Sequence, residues 1–156
     1  MMLKLRTNRG FTLTEVLVSA AILVVVSVGL IQVFLRASAL SSLSGNMTIA
    51  MSEAQDKIEE IRNHDFDLIM ADYVSGGTPG DIFSLSEVTG TGKIYISNAN
   101  PDLLEIEVVV SWQEKDDRVI GEDQDLDGVL DAGEDINGNS QLDSTARIIT
   151  YLARRM

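Results

Sequence analysis

The chain has 156 residues, 12 Lys and Arg against 24 Asp and Glu, a formal net charge of −12, one His and no Cys. That length suffices for one membrane helix and one small domain. It excludes a disulfide-braced fold, and the acidic balance argues against binding to a nucleic-acid backbone.

Residues 1–10, MMLKLRTNRG, read as a basic leader, with Lys4, Arg6 and Arg9 and no acid. Residues 11–35 then read FTLTEVLVSAAILVVVSVGLIQVFL, and the twenty residues from Val16 to Leu35 carry no charge. A helix of that length rises about 30 Å, the thickness of a hydrocarbon core. A secretory signal has a shorter apolar stretch and a small-residue cleavage site. A buried core helix would need more chain to wrap it than remains here. Positive charge stays on the cytoplasmic side, so the helix is expected to span a membrane once, with residues 1–10 inside and the bulk of the chain outside.

The segment GFTLTEVLVS, residues 10–19, resembles the cleavage and methylation signal of type IV prepilins and type II secretion pseudopilins. The resemblance implies that a prepilin peptidase cuts between Gly10 and Phe11 and methylates the new amine of Phe11. It also implies that Glu15 is the acid of that signal, and that the partners are other pilin or pseudopilin subunits. A carboxylate in hydrocarbon is costly unless paired. Glu15, four residues after Phe11, would meet the amine of a neighbouring subunit; alternatively it lies at the membrane edge, where its cost is small.

Residues 36–46, RASALSSLSGN, are small and weakly polar, and Gly45 with Asn46 could end or kink a helix. Residues 48–62 are amphipathic, with Ile49, Ala54, Ile58 and Ile61 near helical spacing and Glu53 placed to pair with Lys57. One long helix, straight or bent, from about Thr12 to Asn63 is expected, continuing through residues 36–63. Residues 64–81 read as a polar connection, in which Phe66, Leu68, Ile69 and Tyr73 tuck inward and His64 has no role. Strands are expected at 82–88, 92–97, Leu103–Trp112 and Ala146–Leu152. In the third, Leu104, Ile106, Val108, Val110 and Trp112 form one face, and Glu105, Glu107, Val109 and Ser111 the other. The predicted fold is α+β and pilin-like: a long N-terminal helix, membrane-spanning in its first half, on a small antiparallel sheet within an outer domain, 64–156. The VSW strand at Val110–Trp112 and the stretch from Arg147 to Ala153 resemble minor pilins and minor pseudopilins, which implies a minor subunit.

Between the last two strands lies an acidic insertion, 122–145. Asp123, Asp125, Asp127, Val129, Asp131 and Glu134 occupy places 1, 3, 5, 7, 9 and 12 of a calcium loop, with Gly128 at the turn and the Val129 carbonyl as ligand. Five carboxylates so close would repel, and a hard divalent cation removes that penalty. A weaker copy follows: Asp135, Asn137, Asn139, Gln141 and Asp143 at places 1, 3, 5, 7 and 9, with Ala146 unable to bind at 12. The insertion resembles the EF-hand and dockerin class, without a helix before it. A flexible acidic surface loop is the alternative.

No catalytic constellation is legible: the single His has no partner at metal-ligand spacing, and there is no phosphate-binding Gly loop. The expected function is a structural subunit of a type IV pilus-like filament, first in the inner membrane and then in a periplasmic or extracellular filament. A minor pseudopilin of a type II secretion system and a membrane-anchored calcium-binding surface module are the alternatives.

Overall fold

A computed structural model describes residues 10–154, the side chain of Ala99 apart; residues 1–9 of the basic leader, with Lys4, Arg6 and Arg9, lie outside them. The elements in chain order are α1 (Leu13–Arg62), α2 (Phe66–Asp72), β1 (Ile82–Ser84), β2 (Gly90–Asn100), β3 (Leu103–Gln113), β4 (Val119–Ile120) and β5 (Ala146–Ala153). The chain up to Ser42 and the chain from Leu43 onward form two compact units.

The first unit is the apolar part of α1. Every residue from Gly10 to Ser41 is exposed. Bare Val, Leu, Ile and Phe on all sides of a helix call for an apolar surrounding. By length and composition this helix can cross a membrane.

In the second unit, Ala50, Ala54, Ile58 and Ile61 recur at spacings of three and four and are buried. They join Ile94, Leu104, Ile106, Val108, Val110, Trp112 and Ala146 in one core, so the second half of α1 packs on the sheet. The two alanines, both 0 % exposed, bring the helix backbone close to the strands. The sheet is antiparallel throughout, in the order β1-β2-β3-β4, with β5 also paired to β3. Ile94 faces Val108 across β2 and β3, and Val108 faces Ile148 across β3 and β5. The inner face is therefore set by alternation, as the β-branched residues of β3 predict.

The outer face is not the polar surface that alternation predicts. Val109, Ser111 and Glu107 are 1, 2 and 7 % exposed. The chain after β4 covers them. The Thr91 hydroxyl donates to the Leu126 carbonyl. Leu142, itself buried, donates its N–H to the Tyr95 hydroxyl at 2.8 Å. Arg147 pairs with Glu107 and, at 3.1 Å, with Asp143.

Several local expectations are corrected. The connection 64–81 contains helix α2. Asp65 caps it by accepting the Asp67 N–H at 3.1 Å, and Ile69 and Tyr73, four apart, are buried. Leu68 is exposed rather than tucked in. His64 is half-buried and pairs with Asp72 at 2.7 Å. Strand β1 stops at Ser84 instead of 88, because Glu53 draws Ser86 N–H, Ser86 hydroxyl and Glu87 N–H into a turn at 2.9–3.1 Å. Glu53 thus does not pair with Lys57, which binds Glu60 at 2.6 Å and lies over the Phe83 ring. Helix α1 continues through Gly45 and Asn46.

Candidate functional site

Two places carry the sequence-predicted site residues. The first is the start of α1. Gly10 and Phe11 are exposed and precede the helix. The Thr12 hydroxyl accepts the Glu15 N–H at 3.3 Å, and the Glu15 carboxylate accepts the Thr12 N–H at 3.0 Å and the Thr12 hydroxyl at 2.9 Å. This is a capping box, which satisfies two orphan N–H donors of the first turn. The T-x-x-E spacing carries that signal in the sequence, and the sequence reading, occupied with Glu15 as a partner for an amine, missed it.

The second place is the acidic insertion. One carboxylate oxygen from each of Asp123, Asp125 and Glu134 lies within 4.8 Å of the others, and so do oxygens of Asp125, Asp127 and Asp131. Asp125 is common to both groups, so the acids of the first loop form two overlapping triads. Asp123 is 1 % exposed, and its two oxygens accept the N–H of Asp127 at 3.1 Å and of Gly128 at 3.0 Å. Burial pushes its carboxyl up against the pull of those donors, and Glu134 and Asp125 push the same way. Among the described residues no Lys or Arg pairs with Asp123, Asp125, Asp127, Asp131 or Glu134. Val129 donates its N–H to Asp127 at 2.7 Å.

The second loop repeats this backbone. Asp135 accepts from Asn139 at 3.0 Å and Ser140 at 2.9 Å, the same places in its loop as Asp127 and Gly128 in the first. Asn139 accepts the Gln141 N–H at 2.8 Å, as Asp127 accepts that of Val129. The fourth and sixth places take positive φ in both loops, 61° and 77° at Leu126 and Gly128, then 77° and 63° at Gly138 and Ser140. Its polar side chains are matched differently. The Asn137 and Asn139 amides donate to Asp143 at 2.6 and 2.7 Å, and Arg147 takes the other oxygen.

The residue that sequence reasoning missed is Glu122. Glu134 closes the first loop by accepting the N–H of Gln124 at 2.7 Å and of Asp131 at 2.9 Å, its second and ninth places. Glu122 accepts the N–H of Ile136 at 3.2 Å and of Asp143 at 3.0 Å, the second and ninth places of the second loop. Each loop is thus closed by a Glu lying next to the first residue of the other. Ala146, the expected twelfth place, is instead the buried first residue of β5. The signal was present as the repeated Glu-Asp pair, Glu122–Asp123 and Glu134–Asp135, twelve residues apart.

The arrangement is α+β: an exposed apolar helix, entered through a capping box, joined in sequence to a small antiparallel sheet. Within it, residues 5–31 match the family model described as the prokaryotic N-terminal methylation motif. Comparison with curated proteins and with solved structures finds no match.

Proposed function

We propose that the chain is a structural subunit of a type IV pilus-like filament. The methylation motif over residues 5–31, placed at the mouth of an exposed apolar helix, carries this reading. A prepilin peptidase cuts between Gly10 and Phe11, and the Phe11 amine is methylated. Glu15 then leaves its capping box to meet the amine of a neighbouring subunit, so that both charges enter the apolar interior as a pair. The VSW strand at Val110–Trp112 and the stretch from Arg147 to Ala153 favour a minor component. The same parts serve a minor pseudopilin of a type II secretion system.

Intact mass and N-terminal sequencing of the protein from its own cell test the reading. The expected start is N-methyl-Phe11, and replacing Gly10 by a bulky residue should leave the leader attached. A wild-type chain that keeps residues 1–10 overturns it and leaves an anchored acidic domain, and one cut beyond Arg36 overturns it and leaves a secreted one.

We further propose that the insertion holds calcium. All candidate ligands are oxygens, the ligand class of a hard divalent cation. Asp123, Asp125, Asp127, Asp131 and Glu134, with the Val129 carbonyl, would hold one ion. In the second loop Asp135, Asn137, Asn139, Gln141 and Asp143 would be completed by Glu122 in place of Ala146. Two overlapping triads of carboxylates, with no Lys or Arg paired to them among the described residues, support this reading. Calorimetric titration with calcium of the wild type and of Asp123→Asn tests it. Loss of the first loop's share of the binding heat in the variant is expected; a wild type that binds no calcium sinks it.

A further inference from the structure

The weakest stretch of α1 by propensity is residues 41–48, SSLSGNMT, in which Ser, Gly, Asn and Thr all rank low. The helix nonetheless runs through it. Ser44, Gly45, Met47 and Thr48 are exposed, and full burial begins only at Ala50. Leu43 reaches the core from the edge. Among the described residues a single side-chain hydrogen bond ties this stretch to the sheet side of the domain: Asn46 Nδ2 donates to Glu114 Oε2 at 3.0 Å.

Glu114 is itself unusual. It is 7 % exposed, stands directly after β3, and has no Lys or Arg partner among the described residues. Its second oxygen accepts the indole N–H of the fully buried Trp112 at 2.7 Å. Its main chain closes the turn 114–118, donating to Arg118 at 2.8 Å and accepting from Asp117 at 3.0 Å. A buried carboxylate held by an indole and an amide is stable only while both donors are present.

We propose that Asn46, Glu114 and Trp112 form a strap that keeps α1 helical across Ser44–Thr48, and that releasing it lets the helix uncoil there. Trp112 sets the carboxylate, the 114–118 turn holds its backbone, and Asn46 carries the restraint into the helix. Whatever displaces that turn then controls the continuity of α1 from outside.

The test exploits a conflict of sign. Ala is the better helix former, so propensity alone makes Asn46→Ala slow amide exchange across residues 44–50. The strap makes the same variant exchange faster, by about tenfold, since a hydrogen bond to a charged group is lost. Hydrogen exchange on the full chain in detergent micelles reads this, with the amides of β3 as an internal reference. Faster exchange at 44–50 with β3 unchanged is expected. Adding Gly45→Ala, where a new Cβ meets nothing within 4 Å, should restore protection to Asn46→Ala. Unchanged or slower exchange in Asn46→Ala overturns the strap. So does loosening of β3 along with the helix, because Asn46 would then be an ordinary core contact.

Discussion

Individual carboxylates decide more in this protein than their number suggests. Glu122 and Glu134, 7 and 6 % exposed, each accept two backbone N–H groups and so hold a loop shut by its second and ninth places. Truncating either to Ala leaves two donors without partners. The expected cost is about 1–3 kcal/mol for each variant without added calcium, read by urea unfolding. Glu122→Ala should cost as much as Glu134→Ala, although only Glu134 stands at the twelfth place of a motif. Glu107 offers a pH-dependent case. Burial pushes its carboxyl up, and Arg147 offsets only part of that. The folded state therefore binds the proton more tightly than the unfolded one. Its contribution to stability is full below the unfolded value of 4.5 and is lost as pH rises through the folded value. Thermal unfolding at fixed calcium should show the wild type gaining on Glu107→Gln as pH is lowered from 7 to about 4. A constant gap between the two would contradict this. Burial and Glu60 also push the Tyr73 hydroxyl up to about 12, so Tyr73 stays a donor to Glu60 at any ordinary pH.

Among the elements, the second half of α1 depends on smallness. Ala50 and Ala54 are wholly buried against the sheet with Ile58 and Ile61. Ala54→Leu should overpack that contact and destabilise the domain by about 1–3 kcal/mol, whereas Ile61→Ala should open a cavity costing about 2–5 kcal/mol. Denaturant midpoints separate the two from exposed controls such as Gln55→Ala, which should change little. Strand β3 shows what a sequence pattern can and cannot say. Its alternation put Leu104, Ile106, Val108, Val110 and Trp112 on one face, and that face packs with the helix in the core. It put Val109 and Ser111 on the opposite face, and both are buried there too. Alternation reports the pleat, and only the return of residues 121–145 over the outer face decides what that face meets.

For the whole molecule, the acidic insertion acts as a covering layer of the sheet instead of a loose appendage. Leu142, Val109 and Thr91 are buried beneath or within it, so its integrity and that of the domain are linked. On the calcium reading, free calcium at a hundred times its dissociation constant should stabilise the domain by about 2.7 kcal/mol. Limited proteolysis should then cut within residues 113–145 faster with chelator than with calcium, and Asp123→Asn with Glu134→Gln should erase the difference. Equal cutting rates in the wild type would leave the layer held by its own hydrogen bonds.

The sequence by itself determined what depends on neighbours along the chain. The apolar run before Arg36, the basic leader, the signal Gly10-Phe11-Thr12-Leu13-Thr14-Glu15 and the twelve-residue acidic spacing are all local patterns. So are the faces of α1 and β3, because helical and pleated periods fix where side chains point. The tertiary structure decided what depends on residues far apart in the chain. Glu53 left Lys57 for Ser86, thirty-three residues away, and so ended β1 early. Asn46 reached Glu114, sixty-eight residues on. Glu122 closed the loop of Asp135 and Asp143 because the duplicated halves lie side by side, so that the acid completing each loop borders the other. Periodicity assigns each residue a direction, and only the folded chain supplies the partner it meets there.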